Sequence, residues 1–71
     1  MIEIWSKHQC PFCDKAENLC IQKDLEYKKY MLDVDFTRDE FMQKFPTART
    51  FPQILVDGDL VGGYTEFAAT F

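Results

Sequence analysis

The 71-residue chain has three cysteines, an odd number, and no apolar run long enough to span a membrane. Three cysteines are too few for the dense staples of a small secreted fold, which disfavours a disulfide scaffold. The opening residues MIEIWSK contain an acid and no extended apolar stretch, so they read as neither a signal peptide nor a membrane span, and a cytoplasmic location is expected. The net charge is −4 and no basic patch exists beyond Lys28-Lys29, which argues against nucleic acid or a membrane surface as a partner and marks those lysines as a solvated edge. Linkers, internal repeats and low-complexity segments are absent. The length leaves no room for a second domain, so one domain over residues 1–71 is expected, near the size at which a single core barely suffices.

What is present is material for a core: 46% apolar residues, with seven Phe, three Tyr and one Trp. IEIW (2–5) leans towards a strand. From CPFCDKAENLCIQKDL (10–25) the period changes: Cys13, Ala16, Leu19 and Cys20 fall on one helical face while Asp14, Lys15, Glu17, Asn18 and Gln22 point away. EYKKYML (26–32) returns as a second strand, making a right-handed βαβ unit with parallel strands. Thr37 and Glu40 form a capping box, Phe36 can staple against Phe41, Phe41 and Phe45 stand at i and i+4, and Pro46 ends a short helix. QILV (53–56), Asp57-Gly58 and DLVGG (59–63) predict a hairpin with a type I′ turn. YTEFAATF (64–71) predicts a terminal helix with Tyr64, Phe67, Ala68 and Phe71 on one face. The expected order is β-α-β-α-β-β-α.

The stretch SKHQCPFCDKAENLC (6–20) carries the chemistry. Disulfide exchange needs a thiolate on an exposed sulfur. Pro11 suits the first helical position, which makes Cys10 the expected N-cap, with its sulfur facing the unpaired N–H groups and positive dipole end of the helix. Lys7 and Lys15 add positive charge nearby. Cys13, one turn in, is expected to be more buried, so Cys10 attacks and Cys13 resolves. A CxxC pair also serves zinc knuckles, but here only His8 and Cys20 could complete such a site. Cys20 turns inward with Ala16 and reads as a small buried hydrophobe, and His8 as a solvated loop residue. No metal site is expected.

CPFC opening a helix after a first strand, TFP (50–52) opening a later strand and GGY (62–64) opening the last helix resemble the signature elements of glutaredoxins, in the same order and over nearly the whole chain, from Ile2 to about Phe67. The short bacterial and bacteriophage members are the most similar in design. The resemblance implies an α/β thioredoxin fold, with a four-stranded mixed sheet flanked by helices and a glutathione groove beside the CxxC. It implies that Cys10 is the nucleophile and Cys13 the resolving cysteine. It also implies that Lys7 and Arg49 face the glycyl carboxylate of glutathione, with Pro11 and Phe12 of the motif at the groove. Thr50, Phe51 and Pro52 form the TxP element, Pro52 being cis, and the Phe51 backbone pairs with the cysteinyl unit. Gly62, Gly63 and Tyr64 precede the γ-glutamyl site. Thr65 stands where the family commonly has an aspartate for the glutathione ammonium, which leaves Glu66 as the available charged partner. Phe12 replaces a common tyrosine and loses only a hydroxyl.

Phe36, Phe41, Phe45, Phe67 and Phe71 are expected in the core, and Trp5 and Tyr64 are packing residues that could border the groove. The implied activity is reduction of protein disulfides and glutathione mixed disulfides by a monomer. No cofactor is bound and glutathione is the co-substrate; disulfide-containing proteins such as ribonucleotide reductase are the clients. Two other readings are a glutathione-ligated [2Fe–2S] carrier, against which Pro11 and Cys13 weigh, and a redoxin fed by thioredoxin reductase.

Overall fold

A computed structural model describes residues 1–71. The elements are β1 (Ile2–Ser6), α1 (Pro11–Gln22), β2 (Tyr27–Met31), α2 (Arg38–Lys44), β3 (Gln53–Val56), β4 (Asp59–Gly62) and α3 (Tyr64–Thr70). The sheet runs β2-β1-β3-β4, with β1 parallel to β2 and antiparallel to β3, and β3 antiparallel to β4. This is the mixed four-stranded sheet of the thioredoxin fold.

Alternation along β1 builds both layers. Ile2 and Ile4 face α1 and α3, where they join Ala16, Cys20, Ile54 and Phe67 in one buried cluster. Trp5 faces the other side and stacks on Tyr30 at 4.7 Å between ring centroids, among Phe36, Phe41, Phe45 and Leu55. The second cluster is closed by α2, whose start is fixed as the residues require: Thr37 Oγ1 accepts from Glu40 N at 3.1 Å, and Glu40 Oε1 accepts from Thr37 N at 2.8 Å. Phe36 and Phe41 then pack as a staple, 5.7 Å between centroids. Replacing Thr37 by alanine removes half of this box and is expected to lower stability by about 1 kcal/mol, a fall of roughly 4–8 °C in the thermal unfolding midpoint.

Four local expectations are corrected. The first helix ends at Gln22, not Leu25, because Asp24 takes a left-handed conformation (φ 55). Leu25 N donates to Cys20 O at 2.8 Å and Asp24 N to Ile21 O at 3.2 Å, a Schellman stop made without the usual glycine. Lys29 is not a free edge residue, since its Nζ lies 3.2 Å from Glu17 Oε1 and both side chains are half-buried. Glu17 also accepts the Tyr27 hydroxyl at 2.9 Å, tying α1 to β2. Phe71 remains 38% exposed and meets the core with its ring tilted against Phe67, because α3 ends one residue before it. Trp5 packs as expected, but in the α2 layer, where it borders a separate hollow with Phe36 and Lys44 rather than the groove, since its β1 register points it away from α1.

The hairpin turn has Asp57 at φ 52 and Gly58 at φ 86, the two positive values that a type I′ turn demands. Register then shifts by a bulge between Ile54 and Leu55, which delivers Gly62 opposite Ile54 and starts α3 beside Pro52 at the head of β3.

Candidate active site

Cys10 is the N-cap of α1, in extended conformation (φ −122, ψ 97), with Pro11 at the first helical position. Cys13 N–H donates to Cys10 Sγ at 3.2 Å. A cap normally offers oxygen here; a sulfur in the same place has a donor and the positive helix end aimed at it, which favours negative charge once the sulfur is free. Cys10 and Cys13 are joined as a disulfide with Cα atoms 5.2 Å apart. Cys13 is fully buried, as the helix period requires. Cys10 keeps 7% of its exposure rather than standing open, because its sulfur is turned in over the helix end to reach Cys13.

The third cysteine takes no part. Cys20 is buried beside Ile4 and Ala16 in the core cluster, and burial, with the Glu17 carboxylate behind it, pushes its thiol above the ordinary range. No group of three or more His, Cys, Asp or Glu side chains is placed to hold a metal ion, and His8 is exposed in the loop before the motif.

A groove of ≈ 270 Å³ abuts the CPFC turn through Phe12 and is lined by Thr50, Phe51, Pro52, Gly63, Tyr64, Thr65 and Glu66. Three separate segments meet there because the β1–β3 pairing brings the loop before β3 to the end of β1, and the bulged hairpin brings the α3 start alongside. Phe12 is 52% exposed and faces Tyr64, with ring centroids 6.0 Å apart. The Phe51–Pro52 peptide is cis. Gln53 Nε2 donates to Thr50 O at 2.9 Å and holds the segment in place. The backbone N–H and C=O of Phe51 make no hydrogen bond within the chain, while its ring stacks on Phe41 at 4.4 Å.

Four expected residues flank the groove rather than line it. Lys7 Nζ stands 5.6 Å from the Phe51 ring centroid, and Arg49 lines a neighbouring small hollow with Phe51 and Arg38. Pro11 is exposed at the helix start. Gly62 backs the groove at φ 124, where a Cβ would come within 2.8 Å of Glu66 Oε1. Lys15 spends its charge over the Phe12 ring, 5.1 Å from its centroid. Glu66 is placed more firmly than its sequence position implied: Oε1 accepts Gly63 N–H at 2.9 Å, so the carboxylate is folded back over the first turn of α3. The N3 position of Glu66, three residues after the cap, was the available signal.

Residues 2–61 match the glutaredoxin family model. The chain belongs to the glutaredoxin family. It is 31% identical over 68 residues to glutaredoxin 3 of Escherichia coli strain K12, covering 96% of this chain and 82% of that protein. To glutaredoxin 1 of the same strain it is 35% identical over 74 residues, covering 93% of this chain and 86% of the relative. The solved buckwheat glutaredoxin–glutathione complex superposes with a TM-score of 0.82 at 22% identity, over 97% of this chain and 66% of the other, a likeness of fold. The glutaredoxin is thus a thiol–disulfide oxidoreductase, and its Cys10–Cys13 pair is the redox-active disulfide.

Proposed function

We propose that this glutaredoxin uses glutathione as its reductant and reduces protein disulfides and glutathione mixed disulfides. The observation that carries the reading is the charge layout around the free Phe51 backbone. Lys7 lies over the Phe51 ring and Arg49 lines the small hollow next to it, while the Glu66 carboxylate lines the separate groove on which Phe51 also opens. Glutathione is an extended peptide whose cysteinyl amide can add to such an edge, with a glycyl carboxylate at one end and a γ-glutamyl ammonium at the other. Basic groups at one end and an acid at the other match it in that orientation. The buckwheat relative of the same fold binds glutathione.

In the reducing cycle, the Cys10 thiolate attacks one sulfur of the client disulfide; that S–S bond breaks and the departing client sulfur takes up a proton. Cys13 gives up its proton and attacks Cys10 Sγ, which closes the disulfide and releases the second client thiol. Two glutathione molecules reopen the pair in turn and leave as glutathione disulfide. With a glutathione mixed disulfide as client, Cys10 takes the glutathione and a second glutathione removes it.

The test is turnover of a small glutathione mixed disulfide coupled to glutathione reductase and NADPH, with Lys7→Gln and Arg49→Gln combined. Exposed ion pairs contribute about 0.2–1 kcal/mol each, so the KM for glutathione is expected to rise about two- to thirtyfold with kcat largely kept. Added salt should raise the wild-type KM and leave the double variant nearly unmoved. An unchanged KM, or wild-type turnover with dithiothreitol and none with glutathione, would turn the assignment towards a protein reductant.

A further inference from the structure

One buried side-chain oxygen in the molecule has no hydrogen-bond partner: Ser6 Oγ, on a residue with no exposure at all. An orphaned buried hydroxyl is destabilising, and a small apolar residue would occupy the same place without that penalty. The position of the hydroxyl shows what it serves. Ser6 is the last residue of β1 and shares the inward face with Ile2 and Ile4. The crossover from β1 to parallel β2 makes α1 run back along that face, presenting Cys13, Ala16 and Cys20 as its buried residues. From Ile2 to Ser6 the strand advances about 13 Å. From Cys20 back to Cys13 the helix covers about 10 Å. Cys20 and Ala16 pack with Ile2 and Ile4, so the next buried position along α1, Cys13, falls over the strand's last residue, Ser6.

We propose that Ser6 is a positioning residue for the resolving sulfur: its hydroxyl, unpaired while the Cys10–Cys13 disulfide stands, donates a hydrogen bond to the Cys13 sulfur once the pair is reduced. While the disulfide ties the Cys13 sulfur to Cys10, no hydrogen bond joins it to Ser6 Oγ. Reduction leaves Cys13 as a thiol, and removal of its proton leaves a buried anion with few donors around it; Cys13 N–H is already aimed at Cys10. A hydroxyl beneath it stabilises that anion as it forms, before it attacks Cys10 Sγ in the mixed disulfide. Ser6 keeps its own proton throughout. The same bond sets the redox balance, because the disulfide form carries the unpaired group and the dithiol form does not. Ser6 therefore favours the dithiol.

The experiment is the equilibrium of the purified chain with dithiothreitol redox buffers, together with thermal unfolding of the oxidised and reduced forms, for wild type, Ser6→Ala and Ser6→Thr. Ser6→Ala is expected to shift the equilibrium towards the disulfide by about tenfold, roughly 30 mV more reducing. It should leave the oxidised form at least as stable as wild type while the reduced form loses stability. Ser6→Thr, which keeps the hydroxyl, should hold the wild-type equilibrium within about twofold, the scatter expected of such a conservative change. The proposal is overturned if Ser6→Ala stays within that same range, if Ser6→Thr shifts as far as Ser6→Ala, or if Ser6→Ala fails to fold in both redox forms. No glutathione enters this measurement, so its result is independent of the reductant.

Discussion

Cys10→Ser is expected to bring disulfide turnover down to the uncatalysed background, while Cys13→Ser separates the two activities. A serine hydroxyl at the cap still accepts the Cys13 N–H, so α1 keeps its start and the fold survives. The hydroxyl is not ionised at neutral pH and cannot hold a mixed disulfide, so no first step takes place. Cys13 cannot substitute, because it is fully buried at the third helical position and a client sulfur cannot reach it in line. In Cys13→Ser the nucleophile, its cap geometry and the groove remain. Turnover of a glutathione mixed disulfide, which needs only Cys10 and a second thiol, should stay within about tenfold of wild type. Reduction of a protein disulfide should stall at the mixed disulfide, visible as a covalent adduct by mass spectrometry. If Cys13→Ser lost both activities, or Cys10→Ser kept either, the roles assigned to the two sulfurs would be wrong.

Phe67→Ala is expected to remove a large share of the chain's stability, read as a lower urea midpoint. Phe67 has no exposure and is the largest fully buried side chain; it joins Ile4 and Ile54 of the sheet to Ala16 and Cys20 of α1. Truncating such a ring costs about 3–5 kcal/mol, because the lost transfer energy is joined by a cavity that a close-packed core refills only in part. A domain of this length has a total stability of roughly 4–11 kcal/mol, so the change removes a large share of it. The same substitution at Phe71, 38% exposed at the chain end, should cost well under half as much by urea unfolding, and equal losses would contradict the core described here.

Some of this was visible in one dimension because the physics is local. Thr37 and Glu40 cap each other three residues apart, Asp57-Gly58 supplies two positive φ values at adjacent residues, and Pro11 pre-sets the first turn after Cys10. The stop of α1 was misplaced for an equally local reason: Asp24 adopts the left-handed conformation that usually announces itself with glycine, and nothing in its neighbours marks it. Phe71 has the helical phase of a core residue, but phase says which side a residue faces and not whether anything lies there to cover it.

Within the site, the residues near the cysteines were legible through motif spacing, and their mutual placement was not. Ser6 and Lys7, Phe51, and Glu66 come from three different stretches, and what each touches depends on the β1–β3 register and the bulge that turns the hairpin towards α3. By itself the sequence determined the order of elements, the cap that presents Cys10, the inward face carrying Cys13 and Cys20, and the chemistry a CxxC helix start can perform, since periodicity, capping and turn geometry act over a few residues. The tertiary structure alone decided that Lys7 and Arg49 flank the groove through Phe51, that Trp5 belongs to the other layer, and that Ser6 is sealed without a partner at the end of β1. Those are contacts between segments far apart in the chain, and burial and hydrogen bonding across such distances exist only once the sheet has assembled.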